Sequence, residues 1–225
     1  AGPGNNGGDA IMTGCFALLD RYDVSCSVLG QPRGDALVAL EFSKTLGLEI
    51  RKRLPDIQEL KTGCDMVIDG VLGLGASRSP KGRLLGAINF INEVSAKKKV
   101  FVISIDIPSG LDPCSGQVLG KSAVKADETI MLLSPKQACY TGHASKHVGK
   151  LVFSDLGITN YHKYGTKTSE LIKPDLFSVD KIPNISHKGS NGSILILGGW
   201  GNMQGAGFLA GLAAARTGVG KVFIC

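Results

Sequence analysis

The run Val100-Phe101-Val102-Ile103-Ser104-Ile105 constrains this chain more than any other stretch. A continuous β-branched and aromatic run without polar alternation is a strand buried on both faces, the kind found in parallel sheets. It is followed at once by Asp106-Ile107-Pro108-Ser109-Gly110 and then Leu111-Asp112-Pro113, which are turn-forming residues. Around it, short β-compatible runs alternate with helical spacing. Ile11, Cys15, Leu18 and Leu19 predict a first helix ending near Arg21, residues 24–29 a strand, and residues 31–35 a turn. Val38, Phe42 and Leu46, at i, i+4 and i+8, predict a second helix facing the core through them and closed by Gly47. Residues 48–51 read as a strand and 55–62 as a polar connection or short helix, followed by a buried strand over 65–73 that runs into a loop. Leu84, Ile88 and Ile91 mark another helix, and 129–133 and 151–154 two more strands. Such alternation predicts right-handed βαβ units. The expected fold is α/β, a three-layer αβα Rossmann-like sheet, mostly parallel.

In open sheets of this class ligands bind outside the carboxyl ends of the strands. Three polar loops fall at such ends, 4–9, 69–79 and 106–112, the first after a strand expected ahead of Ala1. The first loop belongs to Gly2-Pro3-Gly4-Asn5-Asn6-Gly7-Gly8-Asp9, read as a turn feeding a helix N-terminus. Its glycines are suited to φ > 0 and to close approach of a ligand, and unpaired N–H groups at a helix start favour phosphate. Asn5, Asn6 and Asp9 add oxygens suited to sugar hydroxyls or a hard cation. The simpler reading is a glycine-rich turn with Asp9 as helix N-cap.

A net charge of +6 and a pI near 9.0 permit an anionic ligand such as a nucleotide. They do not call for nucleic acid, because the basic residues are dispersed except for Lys97-Lys98-Lys99, read as the solvated end of a helix. Cysteines 15, 26, 64, 114, 139 and 225 form no CxxC pair, and most fall in apolar segments, which predicts buried free thiols in a reducing cytoplasm. No membrane span or signal peptide is visible, so no membrane partner is expected. The chain starts at Ala1 in mid-motif, which reads as N-terminal truncation.

Residues 161–185, lysine-rich and polar with two prolines, read as a linker. Beyond it His187-Lys188-Gly189-Ser190-Asn191-Gly192 leads into Ser193-Ile194-Leu195-Ile196-Leu197-Gly198-Gly199 as loop and strand. Residues 201–207 then open a helix carrying Leu209, Leu212 and Ala213; Gly218 ends it and 221–225 start another strand.

Gly4-Asn5-Asn6-Gly7-Gly8-Asp9, Asp69-Gly70-Val71-Leu72-Gly73-Leu74-Gly75 and Asp106-Ile107-Pro108-Ser109-Gly110-Leu111-Asp112 together resemble the YjeF N-terminal domain, the NAD(P)H-hydrate epimerase. His187-Lys188-Gly189 and Ile196-Leu197-Gly198-Gly199 through Gly205-Ala206 resemble the opening of the ADP-dependent NAD(P)H-hydrate dehydratase, a ribokinase-like domain. The resemblance implies an epimerase domain over 1–160, the linker 161–185, and the start of a dehydratase domain over 186–225, with its catalytic Asp beyond Cys225. It implies hydrated NADH and NADPH (NADHX, NADPHX) as substrate, with R and S forms interconverted at C6. Substrate positions map to Asn5, Asn6, Gly7, Gly8 and Asp9, to Gly73, Leu74, Gly75, Ala76, Ser77, Arg78 and Ser79, and to Asp106. Potassium positions map to Asn6, Asp69 and Ser109, and the full-length protein would use ADP or ATP in its dehydratase part. A homo-oligomer is compatible with all of this.

Asp106, at a strand end, is the candidate for donating and recovering the proton at C6; its rival role is ribose binding or loop orientation. Asp69 is open to a turn-capping role, Ser109 to an N-cap role, and Arg78 to solvation; Asp112, beside Pro113, reads as turn chemistry. His187 and Lys188 are open to nucleotide contact or solvation. Ala10 stands where the family carries another glycine, and residues 76–80 depart from the family's Thr-Gly-Leu-Ser-Arg-Pro wording. The alternative function is a non-catalytic YjeF-type binding module. A plain Rossmann dehydrogenase fares worst, because no Gly-x-Gly-x-x-Gly precedes the first helix.

Overall fold

Helix α1 (Asn5–Leu19) starts inside the glycine-rich stretch rather than after it. Gly4 is the N-cap, extended at φ −97°, and Asp9 lies within the helix instead of capping it. None of Gly2, Gly4, Gly7 and Gly8 has positive φ. They serve contact instead: a Cβ on Gly7 would collide with the carbonyl oxygen of Gly2, and one on Gly8 would lie 3.0 Å from Ala36 Cα. Ile11 and Cys15 are fully buried as expected, whereas Leu19 is 57% exposed.

Helix α2 (Asp35–Thr45) corrects a second expectation. Its buried face is Ala36, Ala39 and Ser43; Val38 and Phe42 are exposed, and Leu46 alone of the expected trio packs on the core. The glycine face of α1 brings the two helix backbones close, so only small side chains fit between them. Gly47, at φ 77°, follows the C-cap and ends the helix as the sequence indicates.

The computed structural model describes residues 1–58, 60, 64–158, 169–172 and 185–225. Most of the linker at 161–185 and part of the connection at 55–62 lie outside the described residues. The chain divides into Ala1–Leu171 and Ile172–Cys225. In the first unit β1 (Ser25–Ser27) pairs in parallel with β2 (Glu49–Arg51). β3 (Met66–Asp69), β4 (Phe101–Ile105), β5 (Glu128–Leu132) and β6 (Lys150–Ser154) form a parallel four-stranded sheet in that order. Ala1 and Gly2 stitch the two sheets: Leu29 N–H donates to Ala1 O at 2.9 Å, the Ala1 amine to Ser27 O at 2.9 Å, and Gly2 N–H to Gly70 O at 2.9 Å.

Helix α3 (Gly82–Lys98) seats Ala87, Ile88 and Ile91 against Val102 and Val124. Burying each isoleucine contributes roughly 1.5–3 kcal/mol. Lys97 and Lys98 form its solvated last turn and Lys99 caps it at φ 53°, as the triple lysine indicates. Ile107, Leu111 and Met131 build a second cluster, and α1, Val28, Ala39 and Leu48 a third. The thiols correct another expectation: all six are free, yet only Cys15 and Cys139 are buried, while Cys114 and Cys225 are exposed.

The second unit holds β7 (Ser193–Ile196), α4 (Gln204–Arg216) and β8 (Lys221–Ile224), with the strands parallel. α4 meets β8 through Gly207 and Gly211, not through Leu209 and Leu212, which are exposed. Gly218, at φ 98°, ends it as expected. Among the described residues no helix is long and apolar enough to cross a membrane.

Candidate functional site

The segments after β3 and β4 and the first turns of α1 meet at one edge of the sheet. Asp69, last in β3 and fully buried, is their hub. Its Oδ1 accepts from Ser109 Oγ at 2.6 Å and Val71 N at 3.2 Å; its Oδ2 accepts from Ser104 Oγ at 2.8 Å and Ser109 N at 2.9 Å. Leu72 closes the group: its N–H donates to Ser109 Oγ at 2.7 Å, and its carbonyl accepts from Asn6 Nδ2 at 2.8 Å. Gly70 and Gly73 let Asn6 approach, since a Cβ on either would lie within 3 Å of Asn6 atoms. Among the described residues no lysine or arginine pairs with Asp69.

Asp106 sits two residues beyond Ser104, the register partner of Asp69. Its φ is +68°, in the left-handed region. Ile107 N–H donates back to Ile105 O at 2.8 Å, so Asp106 is the central residue of a positive-φ γ-turn, the rare and strained form. Leu133, at φ 65°, centres the same turn at the end of neighbouring β5, with Ser134 N–H donating to Leu132 O at 2.8 Å. Residues held in such regions cost about 1–3 kcal/mol each and cluster at functional sites. Asp106 Oδ1 accepts from Leu132 N at 3.1 Å and faces Lys136 Nζ at 3.2 Å. Its Oδ2 has no hydrogen-bond partner among the described residues, yet it is not sealed from solvent.

Lys136 was not among the expected site residues. The signal that finds it is the strand-end rule itself: Ser134-Pro135-Lys136 follows β5 as the other loops follow β3 and β4. Cys139 lies beside the pair, its thiol pushed up to about 12 by burial and by Asp106, with Lys136 opposing. Asp9 is exposed on α1, and its carboxyl is pushed up from 3.8 by burial first, then by the charges of Asp106 and Asp35. The site thus holds the carboxylates of Asp69, Asp106 and Asp9, the last of which senses the charge of Asp106, and the ammonium of Lys136.

The remaining expected residues divide. Asn5 is exposed, and Gly7 and Gly8 are buried spacers. Gly73 packs against Asn6; Ala76 is half-buried and N–H-bonded to Gly73 O at 3.0 Å. Leu74, Gly75, Ser77, Arg78 and Ser79 are exposed, and Arg78 has no hydrogen bond or ion pair among the described residues. Asp112 is turn chemistry, accepting from Cys114 N, Ser115 N and Ser115 Oγ, which hold its carboxyl low. His187 and Lys188 are exposed in a turn where Gly189 N–H donates to His187 Nδ1 at 3.1 Å.

A cleft of about 730 Å³ opens at the α1 N-terminus, lined by Pro3, Gly4, Asn5, Gly30, Gln31, Arg33 and Gly34. Residues 30–34 follow β1, so this loop too falls at the strand ends; reading it only as a turn missed Arg33. A smaller concavity of about 420 Å³, lined by Asn92, Lys121, Lys125 and His147 among others, includes none of the residues described above.

Residues 1–138 match the family model described as YjeF-related protein N-terminus. The chain belongs to that family. The YjeF-type unit resembles the NAD(P)H-hydrate epimerase of Oenococcus oeni, 30% identical over 161 residues that cover 70% of this chain and 72% of the relative. Over 99% of its length the chain resembles the bifunctional NAD(P)H-hydrate repair enzymes of Dictyoglomus turgidum (31% identical) and Coxiella burnetii (33% identical). It spans 44% and 45% of those two proteins. The crystal structure of yeast ynu0 superposes with a TM-score of 0.60 at 17% identity, covering 78% of this chain and 73% of that one, which shows the α/β fold. The strand-end hub at Asp69 and the strained Asp106 are therefore features of a YjeF-type sheet edge.

Proposed function

We propose that this chain carries an NAD(P)H-hydrate epimerase site that interconverts the R and S forms of NADHX and NADPHX at C6. The observation that carries this reading is Asp106: a strained, mostly buried carboxylate at a strand end, with one oxygen held and the other open. The C6 hydroxyl adjoins the ring nitrogen. A proton on Asp106 Oδ2 passes to that hydroxyl, and the C–O bond breaks with its electrons leaving on water. The nitrogen lone pair forms the C6=N bond. Water then adds to either face and returns a proton to the carboxylate, which permits both epimers.

The cleft at the α1 N-terminus, with its uncapped amides and Arg33, supports anchoring of the pyrophosphate. Asn5 and Asp9 would meet sugar hydroxyls, and Leu74, Gly75, Ser77, Arg78 and Ser79 would border the rest of the dinucleotide. Potassium fits the donor set of Asn6, Asp69 and Ser109, joined by the Leu72 carbonyl. The side-chain oxygens of this set are hard ligands, and the Leu72 carbonyl, accepting from Asn6 Nδ2 at 2.8 Å and from Ser109 Oγ at 3.1 Å, brings both side chains beside the buried Asp69 carboxylate. When bound, the ion would offset the charge of Asp69 and fix the two loops. The second unit reads as the opening of the dehydratase domain, so in a longer protein epimerisation would feed ADP- or ATP-dependent dehydration.

The test is chromatographic: purified R-NADPHX, incubated with the chain and potassium, is followed for conversion to the S form, with lithium in place of potassium as the comparison. Conversion above the spontaneous rate is expected, faster in potassium. A folded chain that leaves the epimer ratio unchanged would instead be a binding module.

A further inference from the structure

We infer that Lys136 is the positioning residue of the reaction centre, fixing Asp106 so that only Oδ2 faces the substrate; the inference rests on the epimerase reading above. Lys136 Nζ donates to Leu132 O at 2.7 Å and lies 3.2 Å from Asp106 Oδ1. The side chains of Lys136 and Asp106 are each only 12% exposed. This is not one of the long-armed surface pairs, whose contribution is near zero. Leu132, which receives the lysine, also donates its own N–H to Oδ1 at 3.1 Å. The same β5 residue therefore anchors both partners, and the strained turn at Leu133 carries the chain from one contact to the other.

The consequence is chemical. The Leu132 amide and the Lys136 ammonium occupy the lone pairs of Oδ1, so a proton on this carboxyl resides on Oδ2, the oxygen without a partner. A freely turning carboxyl would present either oxygen and would spend part of its time with the proton turned away. The ammonium has a second effect. NADPHX is polyanionic and the site already contains Asp9 and Asp106, so the mostly buried ammonium of Lys136 offsets repulsion that the substrate would otherwise meet. The third N–H of Lys136 has no partner among the described residues and remains available to substrate oxygen.

The test is a double-mutant cycle in kcat for R-NADPHX with Lys136→Met, Asp106→Asn and the pair. Methionine keeps the apolar stem packed and removes only the charge. Lys136→Met is expected to lower kcat by about 10- to 100-fold, with KM raised less, in the parent, and to cost nothing further in Asp106→Asn. Equal losses in both backgrounds, or a kcat within twofold of the parent, would overturn the inference. Should Lys136→Met fail to fold, the uncharged Lys136→Gln is measured in the same two backgrounds under the same criteria. An inactive parent would refute the epimerase reading alone. The pairing is then read without turnover from the Asp106 carboxyl carbon resonance, which moves in Lys136→Met if the ammonium holds Oδ1 and stays in place if it does not.

Discussion

The ends of β3 and β4 lie side by side, and each carries an aspartate. Asp69 is fully buried and its two oxygens accept four hydrogen bonds from Val71, Ser104 and Ser109. Asp106 is held through one oxygen only, and its backbone is bent into the left-handed region to present the other. A buried carboxylate held by four donors organises the loops around it; one with an open oxygen can exchange protons. On the proposed reading, the same residue type at the same kind of position organises two loops in one strand and carries the proton transfer in the next.

The largest expected effect separates the two. Asp106→Asn keeps shape and tolerates positive φ. It should lower kcat by about 10²- to 10⁴-fold while shifting the melting temperature little. Asp69→Ala should do the reverse at first: it strands four buried donors and destabilises the fold by about 3 kcal/mol, measured by urea titration. Equal behaviour of the two variants would erase the distinction. Ser104→Ala removes one donor from Asp69 and none from Asp106; it should cost about 1 kcal/mol with kcat within twofold of the parent.

The smallest effect concerns pH. Asp9 has its carboxyl raised above 3.8 in the folded chain, so folding binds its proton more tightly and the ionised form costs stability. That cost is complete above the folded pKa and disappears as pH falls below 3.8. Asp9→Asn should therefore raise the melting temperature by about 1 °C near neutral pH, less in high salt because Asp9 is exposed, and by nothing in strong acid. A rise that persists in acid would show that the charge of Asp9, destabilised by burial first and by Asp106 second, is not its cause.

Much of this edge is legible from residue order alone. A buried strand that stops in Asp-Ile-Pro-Ser-Gly, and another that stops in Asp-Gly, place two carboxylates at one sheet edge whatever the details of packing. The start of α1 is not legible. Asn and Gly are poor helix formers, and their run reads as a loop until Gly2 and Ala36 are seen pressing against Gly7 and Gly8. The same contact hides the inner face of α2, where small residues win over Val38 and Phe42. Nothing in the letter for Asp106 announces a positive φ, which non-glycine residues rarely adopt. Lys136 escapes because its loop lacks glycine and carries no motif; only its place after β5 marks it.

The most direct measurement runs the epimerisation of R-NADPHX in ¹⁸O-labelled water and follows label at C6 against formation of the S epimer. Loss and re-addition of water at Asp106 predict that every S molecule carries the label, and that Asp106→Asn slows labelling and epimerisation by the same factor. Formation of unlabelled S epimer would contradict the account, because inversion would then proceed without breaking the C6–oxygen bond.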